Sequence, residues 1–418
     1  MKISLNTPVR KGVVIALAAV FATAYIGFAV SQFLAAWFGS KTDVASLRRA
    51  ARLDPGNAEY RDHLGRYYDL VARDPSSAVT EYQTAVVLNP HSARYWFDLA
   101  GAYQVLGDTP RQTDALEHAI QADATTPDVA WEAGNLYLVQ GENEKALREF
   151  RVVIANDPSL QSSALQLCWR IRPDIDALLH DVVPARADAY TSLLAFLESK
   201  QETDATKKVW NALMQTRESF ESHHAYDYIH FLIIHKEPGQ AESVWQQTAA
   251  RFGLTAYLPS SENLVVNGNF EMPVLNAGLD WQYQKQSGVS LSLDPSDFHA
   301  GRRSLQISFD GPGISDAGIY QFIPVEPNTT YDFTAYYKNS EMEGAGGPLF
   351  TIQDEYSLQV YYESDELKDA GFWKSASGQF TTSTDCRLIA LHIRRLPAGS
   401  PIRGKLWVDD FRIVRKAL

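Results

Sequence analysis

Ten histidines, two cysteines and 50 acidic residues are the side chains from which this 418-residue chain could build a reactive centre. Four histidines, His223, His224, His230 and His235, fall close together. His223 and His224 are adjacent, so a helix points them in different directions, and no carboxylate completes a metal-ligand spacing. Cys168 and Cys386 lie 218 residues apart and make no metal-ligand pair. No G-x-S-x-G, H-E-x-x-H, C-x-x-C or Gly-rich phosphate loop occurs. No spacing of carboxylates singles out an acid/base pair. These absences argue against an enzyme. What remains is aromatic: Tyr336, Tyr337, Tyr356, Tyr361, Tyr362 and Trp373 gather in the last third of the chain. Flat rings bind ligands by stacking, and core packing is the competing use of each. The net charge of −12, spread along the chain, reads as solubility and argues against nucleic acid as a partner.

The elements that must carry these residues begin with a repeat. Tyr68, Tyr103 and Tyr137 are spaced by 35 and 34, and Gly65, Ala100 and Gly134 keep the same step. Tyr82, Leu116 and Phe150 follow at intervals of 34, and Pro55, Pro90 and Pro158 close the units. Self-similarity at this period marks stacked helical hairpins. The small residue lets a neighbouring helix approach, the large one fills the groove, and Pro ends a helix. These positions resemble the tetratricopeptide repeat. The fullest copy is 128–158, with Ala130, Ala133, Gly134, Tyr137, Gly141, Ala146, Phe150 and Pro158; the copy at 94–127 carries Gln112 where a small residue is expected. The resemblance implies a scaffold that binds a protein partner, and a plain helical spacer is the alternative.

Residues 1–11 form a short basic tail, and 12–38 are 27 positions without a charged side chain. About 20 apolar residues suffice to cross a bilayer as a helix. The expectation is an uncleaved transmembrane anchor, with Trp37 and Phe38 at the exit interface. Ala22-Thr23-Ala24 offers a cleavage site as the alternative. Residues 43–158 hold the repeats, with 43–53 a half-hairpin capping the stack. Residues 159–257 keep a helical period but lose the strict repeat, with a short helix between Pro173 and Pro184. Trp210 and Trp245 stand where groove-filling residues belong, so two degenerate hairpins are expected there.

From Leu258 onward the pattern becomes short alternating runs broken by Gly, Pro, Asn and Asp, which is all-β. Eight strands are expected, at 289–293, 304–309, 318–323, 330–338, 349–353, 377–381, 387–394 and 405–414, suiting a two-sheet jelly roll. The domain, 262–418, opens with Asn263-Leu264-Val265-Val266-Asn267-Gly268-Asn269-Phe270-Glu271 and ends with Trp407-Val408-Asp409-Asp410-Phe411. Between them lie Trp281, His299-Ala300-Gly301-Arg302-Arg303-Ser304, Tyr320-Gln321 and Pro327-Asn328-Thr329-Thr330-Tyr331. This ordered set resembles the carbohydrate-binding modules built as galactose-binding-like jelly rolls. The resemblance implies that the two ends of the domain meet in one sheet. It also implies one structural calcium near the first strand, held by Glu271 and an Asp of the last strand. Alternation puts Trp407, Asp409, Phe411 and Ile413 on one apolar face. Asp409 is therefore the expected inward ligand and Asp410 the solvent-facing one; pairing with an arginine or capping a turn is the alternative for Asp409. The His299–Arg303 turn would add carbonyls. The expected glycan-binding residues are Tyr336, Tyr356, Tyr361 and Tyr362. The Gly-rich acidic stretch 339–348 aligns with no sugar-binding loop.

The expected fold is multidomain, α then β: a transmembrane helix, an α-solenoid of tetratricopeptide-type hairpins and a C-terminal β-sandwich. The expected function is a non-catalytic scaffold in a bacterial inner membrane, its soluble part periplasmic. Its repeats hold a protein and its sandwich a glycan, in polysaccharide assembly or export. The alternative is a protein-assembly factor whose sandwich binds protein.

Overall fold

The computed structural model describes residues 8–416, and the chain divides into two compact units, Met1–Pro184 and Ala185–Leu418. Of the expected tail, residues 1–7 lie outside the described residues, and 8–11 open the first helix. That helix, α1 (Pro8–Gly39), is the one described helix long and apolar enough to cross a membrane, a character it shares with signal sequences. At 32 residues it is about 48 Å long, well beyond the ~30 Å hydrocarbon core of a bilayer. Residues 8–30 are exposed throughout, whereas Ala35 and Gly39 are buried. The end of α1 packs on α2 (Val44–Leu53), with Ala35, Leu47, Ala50, Ala51, Tyr60 and Leu64 in one cluster. A Cβ on Gly39 would lie 2.4 Å from the Tyr60 ring. So the last turns of α1 form the first half of a hairpin, and α2 is its second half.

The repeats follow as α3 (Ala58–Arg66), α4 (Pro75–Leu88), α5 (Ala93–Leu106), α6 (Thr109–Ala122), α7 (Pro127–Gln140) and α8 (Asn143–Asn156). The small-to-large pairing expected from the repeat is met inside each hairpin. A Cβ on Gly65 would lie 2.4 Å from Tyr82, and one on Gly134 would lie 2.8 Å from Phe150. Ala100 and Leu116 are both buried. Side chains of Asn57, Asp74 and Asp108 accept hydrogen bonds from the first helical N–H groups of α3, α4 and α6. Gly107 and Gly141 end α5 and α7 in the left-handed conformation, which only glycine adopts without strain. In the first repeat Arg73 takes that position, after a π-helical turn at Tyr67–Ala72. The unit closes with α9 (Pro158–Ile171) and the short α10 (Ile175–Ala177), which runs into a π-turn at Leu178–Val182. The helices expected as one run over 159–257 are thus divided between the two units.

The second unit starts with two hairpins, α11 (Ala187–Ser199) with α12 (Thr203–Gln215) and α13 (Ser222–Ile234) with α14 (Pro238–Phe252). Trp210 and Trp245 are fully buried in them. Trp245 reaches further: a Cβ on Gly278 of the β domain would lie 2.2 Å from its ring. Its indole N–H donates to the Tyr257 carbonyl, and the Tyr257 hydroxyl donates to the Pro273 carbonyl. The repeat's packing device therefore also docks the last hairpin on the strands.

Ten strands follow: β1 (Gln282–Tyr283), β2 (Val289–Asp294), β3 (Ser304–Gly313), β4 (Asp316–Pro324), β5 (Thr330–Glu343), β6 (Gly347–Asp354), β7 (Val360–Glu363), β8 (Lys374–Thr381), β9 (Leu388–Leu396) and β10 (Pro401–Arg415). They form two five-stranded antiparallel sheets, ordered β1-β4-β9-β6-β7 and β2-β3-β10-β5-β8. Trp281, Phe333, Phe350, Leu391, Leu406, Val408 and Phe411 belong to the core between them. The domain's two ends do lie side by side. Leu264 N–H donates to the Ile413 carbonyl, Phe411 N–H to the Gly268 carbonyl, and the Asn263 amide to the Phe411 carbonyl. The sequence expectation lacked β1 and β7, and the Gly-rich stretch 339–348 is the β5–β6 hairpin rather than a free loop.

One local feature reverses a face. Asp410 has φ +52°, and β10 shifts register against β5 between Asp409 and Arg412. Leu406 and Val408 point into the core before this bulge, Phe411 and Ile413 after it. The expected common inward face of Trp407, Asp409, Phe411 and Ile413 is therefore corrected. Asp409 stands opposite Tyr336 on the outer side of its sheet, buried beneath the His299–Arg303 turn. Asp410, expected in solvent, is largely covered and lies 3.8 Å from His299. A bulge inserts one residue and flips the alternation beyond it.

Candidate functional site

Core assignments fix which side chains of the first sheet face outward. Ile319, Ile323, Leu391, Ile393, Phe350 and Ile352 face the core, so Tyr320, His392 and Thr351 face away from it. Register then aligns them: Gln282 pairs with Tyr320, Tyr320 with His392, His392 with Thr351, and Thr351 with Glu363. Directly opposed residues share a face. One row, Gln282–Tyr320–His392–Thr351–Glu363, thus crosses all five strands.

Its centre is aromatic. The Tyr320 and His392 rings stack at 5.4 Å and 23°, and Phe322 meets Tyr320 edge-on at 5.1 Å. Tyr320 Oη donates to Gln282 Oε1 at 3.2 Å. Asp316 Oδ2 lies 3.0 Å from His392 Nδ1 and 3.8 Å from Arg394 Nε. Burial raises the Tyr320 hydroxyl above its ordinary pKa. It also raises the Glu355 carboxyl, against the pull of His392 and Arg394. Thr351 Oγ1 is buried and has no hydrogen-bond partner among the described residues. Such an orphan hydroxyl costs about 1–3 kcal/mol. Stacked rings flanked by an amide, carboxylates and a guanidinium can hold a ring ligand edged with hydroxyls. Nothing in the row is arranged as a nucleophile with its base.

The expected residues fall elsewhere. Tyr336 lies on the outer side of the other sheet, with His299 stacked on it at 3.5 Å and 12°. Tyr356 follows β6; its hydroxyl is buried without a partner, and Lys236 lies 5.8 Å from its ring. Tyr361 and Tyr362 pack against the core. Tyr361 Oη donates to Ser383 Oγ at 2.9 Å, and Tyr362 lies 5.1 Å from Phe333, over Gly378. Neither ring of this adjacent pair stands free of the core. The four tyrosines do not form one site. The row itself was missed, because choosing the outer face of β4 and β9 requires knowing what each strand pairs with. Its one sequence signal was the alternation around Tyr320.

Glu271 and Asp409 meet the same turn from two sides. Glu271 Oε1 accepts the N–H groups of Arg302 at 2.6 Å and Arg303 at 3.2 Å, and Oε2 accepts Arg302 Nε at 3.3 Å. These bonds, led by the Arg302 N–H, lower the Glu271 pKa. Asp409 Oδ2 accepts from His299 N and Ala300 N, and Oδ1 from Asp410 N. Burial raises the Asp409 pKa against these three donors. Arg303 Nε donates to the Phe270 carbonyl at 2.7 Å. A calcium ion needs six to eight oxygens, whereas N–H groups and guanidinium surround these carboxylates. Among the described residues no three His, Cys, Asp or Glu side chains converge as ligands. The residues present do not fit the implied calcium; the turn is closed by hydrogen bonds and arginine.

Comparison with known proteins agrees with the strands. Residues 262–392 match the family described as carbohydrate binding domain. A search among curated proteins finds no match. Among solved structures, one titled "CBM4 structure and function" is 16% identical with a TM-score of 0.28, covering 36% of this chain and 99% of that one. The CBM22-1 xylan-binding domain of Paenibacillus barcinonensis Xyn10C is 19% identical with a TM-score of 0.26, covering 36% and 94%. The structure of MamA is 23% identical with a TM-score of 0.25, covering 41% and 84%. At these scores, the family match and the geometry carry the functional reading. The chain thus joins an α-helical region of stacked hairpins to a C-terminal two-sheet domain whose residues 262–392 match the carbohydrate-binding family.

Proposed function

We propose that this chain is a non-catalytic scaffold that holds a glycan on its sandwich and a protein on its repeats. It is anchored in a bacterial inner membrane by α1, with the N-terminus cytoplasmic and the remainder periplasmic. Its role is tethering in polysaccharide assembly or export, since attachment raises the local concentration of bound partners. The observation that carries the glycan half is the Gln282–Tyr320–His392–Thr351–Glu363 row within the matched domain. Stacking on Tyr320 and hydrogen bonding to the row's polar groups are the chemistry a pyranose needs. The exposed length of α1 before Ser31 supports the anchor.

Electrophoresis of the full chain in mild detergent, through gels containing xylan, β-glucan or bacterial exopolysaccharides, tests the glycan half. Retardation in at least one gel, relieved by Tyr320→Ala, is expected. Unretarded migration in every gel would end this reading and favour a sandwich that contacts protein. One observation favours that second reading: Phe322, Leu388 and Ala390, on the same outer face, are already buried, and α14 packs on β4. Part of this face therefore serves a protein contact within the chain itself.

A further inference from the structure

The repeats carry a charge centre that their packing does not require. Arg66 Nε lies 3.1 Å from Asp62 Oδ2, and Arg66 NH2 lies 2.5 Å from Asp98 Oδ2. Asp62 is only 1% exposed, and its Oδ1 finds no donor among the described residues. Burial, with Asp98 beside it, pushes the Asp62 carboxyl up to about 7. The Asp98 charge also reaches Asp69 and Glu132, adding to their burial in raising both. Asp62 and Asp98, from two successive hairpins, thus share Arg66, and the charges of Arg66 and Arg94 act on Asp62 against its burial.

Beside this centre runs an apolar row. Leu70, Val105 and Val139 are 73%, 67% and 69% exposed. They are spaced by 35 and 34, the period of the repeat. Each stands near the C-terminal end of the first helix of its hairpin. Surface aliphatic residues scattered singly need no explanation, but three at the repeat period face one direction by construction. At the third hairpin the row enters a cavity of ≈ 500 Å³ lined by Gln104, Asp128, Trp131, Glu132, Asn135 and Val139.

We propose that this surface binds a cationic, aliphatic peptide segment of a partner protein, with a Lys or Arg directed at Asp98 and Leu, Ile or Val side chains on the Leu70–Val105–Val139 row. The proposal rests on the reading of the repeats as a protein-binding surface and adds the partner's chemistry. A cation at Asp98, the part-exposed member of the pair, offsets the repulsion between Asp98 and Asp62. The row supplies the apolar area that charge alone does not. An acidic segment is excluded by the same field.

Panning a random twelve-residue peptide display library against the full chain in detergent micelles tests this. Enrichment of Lys or Arg flanked by aliphatic residues is expected, falling at least about tenfold for Asp98→Asn, which removes a charge-assisted partner. Val105→Asp, at an exposed position, should lose it equally while melting like the parent chain. Enrichment of acidic peptides would overturn the charge assignment and leave the repeats as a protein-binding surface. Enrichment of no peptide at all would overturn both. Cationic peptides captured equally by the parent and by both variants, at unchanged melting temperatures, would overturn the location.

Discussion

The helical repeats and the β-sandwich use opposite routes from sequence to surface. In the repeats each packing pair is local: Gly65 meets Tyr82 and Gly134 meets Phe150 within one hairpin. In the sandwich the decisive pairs are remote. Leu264 bonds Ile413, and the candidate row joins residues 282, 320, 392, 351 and 363, which are far apart and out of order in the chain. A local pair repeats wherever its residues repeat, so the surface beside it repeats too. A remote pairing depends on every strand between its ends, so its surface is decided once and can be redirected by one bulge.

The comparison breaks most visibly under loss of a large core ring. Phe150→Ala should lower stability by about 3–5 kcal/mol through cavity formation. The loss should be confined to the helical transition in a thermal melt followed by circular dichroism. Trp281→Ala should be of similar size but confined to the sandwich. If either substitution melts both regions together, the two are one cooperative unit and the contrast fails. Next comes the turn that closes on Glu271. Arg303→Ala removes a charge-assisted bond to the Phe270 carbonyl and should cost about 1.5–3 kcal/mol. Chelation with EDTA should leave the sandwich's melting temperature unchanged. A fall on chelation, restored by calcium, would reinstate the implied metal. Smaller still, Tyr320→Ala should weaken glycan binding by about tenfold, or ~1.4 kcal/mol, in affinity electrophoresis, with peptide selection by the repeats unchanged.

The finest distinction is in pH. Each region buries an acid raised to about 7: Asp62 in the repeats, by burial and then by Asp98, and Asp280 in the sandwich, chiefly by burial. A carboxyl raised in the folded state holds its proton more tightly there than when unfolded. Its contribution is therefore fully present below the ordinary carboxylate value of 3.8 and is lost as pH rises to about 7. Denaturant titrations between pH 4 and about 8 should show both regions weakening with rising pH. Asp62→Asn should flatten that slope in the helical transition alone, and Asp280→Asn in the sandwich alone. An unaltered slope in either variant would assign the pH dependence to other groups.

Much of the architecture was legible in advance. The 34-residue step, the small and large partners, the apolar first helix and the jelly roll were all read from residue type and period. The site was not. Tyr361 and Tyr362 were candidates for a glycan surface, yet both rings pack against the core at β7, a strand that alternation did not reveal. Asp409 was placed on an inward face, yet the left-handed kink at Asp410 turns it outward beneath the His299–Arg303 turn.

By itself, then, the sequence determined what depends on neighbours along the chain: helix period, hairpin packing and strand alternation. Only the tertiary structure decided which alternate residues face outward, which five of them align, and which N–H groups the Glu271 and Asp409 carboxylates meet. The physical reason is the two-residue period of a strand. A single shift in register exchanges its faces, and that shift is set by partners dozens of positions away in the chain.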